Sequence, residues 1–440
     1  MNKETFYRIT AELKRILLGS EFDGHVYAVG GSVRDLVMGN EIKDIDLVVD
    51  LDNGGIRLAH WLDDNGWLHQ KVVTYPTFGT AMFKLSGFPE HEIEAVYTRG
   101  EKYTKGSRNP ETVFCSIQDD AFRRDLTINA LYYNISNGEI VDFTGKGMDD
   151  IATHTIRVTN DNPDIVFTDD PLRILRVVRF ASRYGWEIEK ATYDSMVLNA
   201  GSLSIISQER KTAEFTNMLM CERVEYALAL LNSVLGDDYG LVFGEQWPTV
   251  KCSFLQRAAL VKDSEQDLCI RLGILFFWRD RDVVREILTH LKYPNVVIDE
   301  VLAIIDTDSL GELAEAVCNP SDWLSYVIAK HQYRCGDKDR FWRFLQVFRA
   351  ERMMCIGDEY TVEGLLDRIS DLTESRNLDM YAYKLPVDGD DIMELLGCGP
   401  CRMVKEVKDF LLDVAFQNPS LTREECIGLI NDNFTKKTEL

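Results

Sequence analysis

The chain has 440 residues, 45% hydrophobic and 28% charged, enough for two to four domains with ample core and no need of disulfide staples. Its net charge of −23 excludes indiscriminate attraction to nucleic acid, because a polyanion is repelled at long range, and allows only a local basic groove. No stretch approaches the roughly 20 apolar residues that span a bilayer, and "MNKETFYRITAELKRILLGS" at the N-terminus shows helical spacing without a signal-peptide pattern, so a cytoplasmic location and no membrane partner are expected.

After that first helix, "YAVGGSVRD" (residues 27–35) reads as a short strand, a glycine turn and a helix start. Ser32 is a natural N-cap there. Backbone N–H groups and the helix dipole would face an anion such as a phosphate, with Arg34 one turn inside. In "KDIDLVVD" the strand period of two puts Asp44 and Asp46 on one face, while Ile45, Leu47 and Val49 face a core. Two carboxylates so close repel unless a cation separates them, and oxygen ligands suit magnesium.

Farther on, "HEIEAVYTRGEKY" places Glu92 and Glu94 on one strand face, where either is a third acidic group or part of a solvated surface. "AFRRDLTINALYYN" brings Arg123, Arg124 and Asp125 to the edge of an apolar segment. Buried charges need partners, and a triphosphate with a ribose or base edge would supply them. Strands are expected at "HVYAVG", "DIDLVVD", "GTAMFKL", "HEIEAVYT", "NALYYNI" and "EIVDFT", which makes residues 1 to about 158 mixed α/β.

From "TDDPLRILRVVRFASRYG" onward the period turns to 3.6, and the remainder is expected to be nearly all helix. Arg173, Arg176, Arg179 and Arg183 share a face of the helix that Pro171 opens. Without nearby acids such a stripe is self-repelling. It calls either for a polyanion or for acidic partners from elsewhere. Asp170 and Arg173, three apart, can converge as an acceptor beside a donor, which matches the edge common to cytosine and adenine. The ten cysteines are read as reduced thiols, and Cys398 and Cys401 in "GCGPCRM", with no further ligands nearby, as a turn in preference to a zinc or redox site.

In order, "GGSVRD", "DIDLVV", "EAVYTRGEKY", "RRDLTINAL", "DDPLRILRVVRFASR" and "QERKTAEF" resemble the class II tRNA nucleotidyltransferase and poly(A) polymerase family of the nucleotidyltransferase superfamily. The resemblance implies an α+β chain: a nucleotidyltransferase head (1–158) followed by an all-helical neck (159–222), body (223–370) and tail (371–440). It implies that Asp44 and Asp46 bind two magnesium ions beside Glu94. Gly31, Ser32, Arg34 and Arg124 would hold the triphosphate, Asp125 would lie near ribose and base, and Asp170 with Arg173 would be the protein template. Arg176 and Arg179 join the nucleotide-binding candidates, and Glu209, Arg210 and Glu214 would buttress the template helix. The implied activity is addition of C and A to the 3′ end of tRNA from CTP and ATP with release of pyrophosphate. Poly(A) synthesis, A-only or CC-only addition, and an inactive RNA-binding paralogue are the alternatives. Asp169 stands where many members have Glu, and no His-Asp dipeptide supports the phosphohydrolase activity of some bacterial members.

Overall fold

The computed structural model describes residues 1–102, 111–236, 238–244, 251–277 and 279–435. They form two compact units, the first comprising 1–218 and 233–236 and the second 219–232 and 237–440.

Unit 1 opens with α1 (Lys3–Leu17), where the Asn2 side chain accepts from the Thr5 N–H and Phe6, Ile9, Leu13 and Leu17 line one buried face. There follow β1 (Val26–Val29), α2 (Gly31–Met38), β2 (Ile45–Val49), α3 (Gly54–Asp64), β3 (Val73–Tyr75), β4 (Thr80–Phe83) and β5 (Ile93–Tyr97). The chain continues through β6 (Arg99–Lys102), β7 (Glu111–Phe114), α4 (Ile117–Phe122), β8 (Leu131–Asn134), β9 (Ile140–Asp142) and α5 (Gly147–Ala152). Last come β10 (Thr155–Ile156), α6 (Pro163–Asp169), α7 (Leu172–Tyr184), β11 (Glu187–Ile188), α8 (Lys190–Asn199) and α9 (Gln208–Leu219).

Seven strands make one mixed sheet in the order β3-β4-β5-β2-β1-β8-β9, in which β2 and β5 run parallel and the other pairs antiparallel. Alternation sorts the side chains by face. Val26, Ala28, Ile45, Leu47, Val49, Ile93 and Ala95 pack with Phe6, Ile9 and Leu13 of α1 and Leu58, Ala59 and Leu62 of α3. Val29, Val48 and Tyr132 face the other way, against Ile117 and Ala121 of α4. Gly55 lets α3 sit directly on β5, since a Cβ there would come 2.6 Å from the Ala95 carbonyl oxygen.

All six strands expected from sequence are present, as β1, β2, β4, β5, β8 and β9. Edge strand β3, the β6–β7 ribbon and the short β10–β11 pair were not anticipated, β11 falling within the stretch expected to be helical, and Tyr103, which ends the motif "EAVYTRGEKY", lies outside the described residues. Unit 2 contains no strand among its described residues. Its expected helices appear at Arg281–His290, Ser321–Cys335, Arg402–Gln417 and Arg423–Ile430. Val407, Leu411 and Ala415 of one helix meet Ala329, Ile392 and Cys426 in a single core.

Candidate active site

The glycine turn joins β1 to α2. Gly30, at φ +70°, is the N-cap residue and adopts a backbone that residues with a Cβ avoid. A Cβ on Gly30 would lie 3.5 Å from Arg124 Nη1, so this turn and that guanidinium are close neighbours. Gly31 and Ser32 follow as the first helical residues, whose N–H groups have no intrahelical acceptor. Ser32 is not the N-cap the sequence suggested. It is buried and its hydroxyl donates to the Val29 carbonyl at 2.9 Å, so its contribution to an anion site is its backbone alone.

Arg34 also differs from expectation. It is 5% exposed, donates to both carboxylate oxygens of Asp35 at 2.9 Å and to Asn129 Oδ1 at 2.6 Å, and lies over the Phe180 and Tyr184 rings. A guanidinium held on all three nitrogens by its own protein braces the floor of the site and does not reach for phosphate.

Of the carboxylates, Asp46 and Glu94 stand side by side, and Asp44 acts on Asp46 through its charge. Asp44 precedes β2, while Asp46 within it faces away from the Ile45, Leu47 and Val49 core. Parallel pairing of β2 with β5 sets Asp46 directly beside Glu94, which decides between the two glutamates, since Glu92 falls before β5. Asp46 and Glu94 line a cavity of about 300 Å³ together with Val29, Leu47, Val96, Arg99, Arg123 and Arg124. Asp46 is exposed at the mouth of this cavity, and crowding by the surrounding protein atoms, then the Glu94 charge, pushes its carboxyl up from 3.8 to about 6, against the pull of Arg124 and with a further push from Asp44. Among the described residues no three His, Cys, Asp or Glu side chains form a ready cage for a metal. The arrangement fits a divalent cation held by a carboxylate pair and completed by the ligand's own oxygens, the usual manner of magnesium.

The basic wall rests on a residue that sequence reasoning passed over. Asp120 is fully buried and accepts from Arg123 Nη2 at 2.6 Å, Arg124 Nη2 at 3.0 Å, the Tyr132 hydroxyl at 2.7 Å and the Arg99 backbone N–H at 3.2 Å. Burial alone would raise its carboxyl, but Arg124, Arg123 and the hydrogen bonds hold it at about 2. The signal was present as an acid on α4 three and four residues ahead of the two arginines that follow the helix. Arg99 was missed as well. Its Nε is buried in this wall with no hydrogen-bond partner among the described residues, a donor suited to an anion.

Asp125 is buried and locked to Arg176, whose Nε donates to it at 2.8 Å, with Asn129 Nδ2 at 3.1 Å on its other oxygen. Arg176 Nη1 also reaches Glu214 at 3.5 Å, and Arg179 Nε donates to Glu214 at 2.6 Å. The stripe on α7 is thus met by acids from other elements, Asp125 and Glu214, and this overturns the polyanion as the simplest reason for Arg176 and Arg179. Arg183 lies over the Tyr184 ring. Asp170 and Arg173 do not bond to each other through their side chains: Asp170 accepts from Arg210 at 2.8 Å and from the Leu172 N–H, while Arg173 donates to the Val166 and Arg123 carbonyls. The buttressing expected of Arg210 and Glu214 is therefore visible. A continuous polar chain runs Arg34, Asn129, Asp125, Arg176, Glu214, Arg179, tying α2 to α7 and α9.

Residues 26–157 match the family described as "Poly A polymerase head domain", and residues 185–234 match "Probable RNA and SrmB- binding site of polymerase A". These two regions are similar to the tRNA nucleotidyltransferase and poly(A) polymerase family. It is 34% identical over 219 residues to the mitochondrial CCA tRNA nucleotidyltransferase of Saccharomyces cerevisiae, covering 46% of this chain and 39% of that one. The stretch shared with that relative is thus about two fifths of the relative's own length. The CCA-adding enzyme of Bacillus velezensis is 28% identical over 378 residues, covering 84% of this chain and 85% of that one. In fold the chain resembles the solved CCA-adding enzyme of Bacillus stearothermophilus in complex with CTP, with a TM-score of 0.70 at 23% identity over 99% of each chain. The head-domain match takes in the glycine turn, Asp44, Asp46, Glu94, Arg99, Asp120 and Arg124.

Proposed function

We propose that this chain is an RNA nucleotidyltransferase that adds C and A nucleotides to the 3′ end of tRNA from CTP and ATP, releasing pyrophosphate. The observation that carries the proposal is the pairing of Asp46 with Glu94 in one cavity with Arg99, Arg123 and Arg124. The relatives named as CCA-adding enzymes support it, as does the RNA-binding match at residues 185–234. We retain the head, neck, body and tail division at 1–158, 159–222, 223–370 and 371–440 as part of this reading, and a cytoplasmic site of action, which suits the free thiols.

In this reading Asp44 and Asp46 hold Mg²⁺, with Glu94 adjacent. When bound, magnesium supplies charge stabilisation at the transferring α-phosphoryl and lowers the pKa of the attacking hydroxyl. The N–H groups of Gly31 and Ser32, with Arg124 and Arg99, hold the triphosphate. Arg34 and Asp120 position the turn and the arginines. Asp170 accepts from the exocyclic amine shared by cytosine and adenine, held in place by Arg210. Arg173 reaches the base by exchanging its carbonyl partners for the ring nitrogen, and Asp125 with Arg176 fixes the distance from α7 to the head. Guanine and uracil offer donor and acceptor in the reverse order and leave this pair unmatched.

The test is extension of a tRNA lacking its terminal CCA with magnesium and each nucleotide alone and combined. Two additions from CTP alone and a third once ATP joins are expected. A ladder from ATP alone would assign poly(A) synthesis, and no extension in any mixture would leave an RNA-binding paralogue.

A further inference from the structure

In unit 2 the helix Gly389–Leu396 ends at Gly397, at φ +61°, and the next long helix, Arg402–Gln417, starts after four intervening residues. The turn between them carries Cys398, Gly399, Pro400 and Cys401. Folding brings the two sulfurs to 3.7 Å, in contact but unbonded. Cys398 is half-buried, its N–H tied to the Met393 carbonyl at 3.1 Å, whereas Cys401 is exposed and is the N-cap of a 16-residue helix. The two thiols are unequal for physical reasons. The Val404 N–H, then the Cys398 thiol, holds Cys401 below the ordinary thiol range, while burial, then Cys401, pushes Cys398 up. Exposure by itself does not produce this: Cys355, also exposed, is pushed up by burial and by Glu351.

We propose that Cys398 and Cys401 are a redox-active dithiol, which closes to an intramolecular disulfide by exchange with a small soluble disulfide of the glutathione class. The Cys401 thiolate attacks one sulfur of the small disulfide, forming a mixed disulfide and expelling one small thiolate. Cys398 then gives up its proton and attacks the Cys401 sulfur, which forms the Cys398–Cys401 bond and expels the second small thiolate. Two protein thiols are oxidised, one small disulfide is reduced to two thiols, and the proton leaves on the departing thiolate. The contact between the sulfurs makes the second step a matter of side-chain torsion, since a disulfide bond needs only that they approach to about 2.05 Å. This extends the reading of the segment as a turn, because the turn is what holds the pair together.

The experiment treats the reduced full-length chain with glutathione disulfide, quenches by alkylation and maps every cysteine peptide by mass spectrometry. The expected result is an internal Cys398–Cys401 disulfide forming at least several-fold faster than glutathione adds to Cys355. Cys398→Ser should instead accumulate glutathione on Cys401, and Cys401→Ser should leave Cys398 as a thiol, with both variants keeping the wild-type circular dichroism. The proposal is overturned if the pair reacts no faster than Cys355, or if Cys398→Ser traps no mixed disulfide.

Discussion

Asp46 carries a charge problem that can be measured without any substrate. Its folded carboxyl titrates near 6 against an ordinary 3.8, so between those values the folded chain holds more protons than the unfolded one. The stability this group contributes is therefore complete below about 3.8 and lost as pH rises through about 6. Asp46→Asn, which has no such group, should gain thermal stability relative to wild type as pH rises from 4 to 7 in metal-free buffer. A melting-temperature difference that stays flat with pH would contradict the crowding of Asp46 by Glu94. Magnesium should raise the melting temperature of wild type and leave Asp46→Asn unmoved, because binding to the native state alone stabilises it.

At the scale of elements, α7 shows what pattern reading captures and what it cannot. The arginine spacing gave its face, and Pro171 its start, because both are local. The acids that neutralise it come from 51 residues upstream, Asp125, and 38 downstream, Glu214, and no window of the sequence contains that pairing. For the same reason Arg34 was read as a ligand when Asp35 and Asn129 already enclose it, Asn129 being 95 residues away. Asp120 was legible and overlooked. Glu214→Gln should cost about 2–3 kcal/mol, less than the ~3–5 of a fully buried pair because Arg176 keeps a third of its side chain exposed. Thermal melting would register this as a fall of several degrees, and an unchanged melting temperature would deny the bridge its structural weight. Arg173→Ala should narrow the kcat/KM advantage of CTP over UTP by tenfold or so, about one hydrogen bond's worth of discrimination. If that ratio holds, the base edge is read elsewhere.

Over the whole molecule, six strands of the main sheet and the change to helix from α7 onward were written in the hydrophobic period, and the head-domain match at 26–157 spans those strands. The strands that escaped lie outside the core of the main sheet: β3 is its exposed edge, while β6 with β7 and β10 with β11 form separate two-stranded pairs. None of the described helices is long and apolar enough to cross a membrane. The glycine turn, the carboxylates and the arginine wall lie in unit 1, so the chemistry should stand or fall there. The most direct measurement is incorporation of C from CTP into tRNA lacking its CCA, comparing wild type with Asp46→Asn, with and without magnesium, from pH 5 to 8. Wild type should add C across this range only with magnesium, while folded Asp46→Asn should fall by more than the ~10–100-fold expected from an outer-shell change. Addition by Asp46→Asn at the wild-type rate would contradict the assignment of nucleotidyl transfer to this carboxylate site.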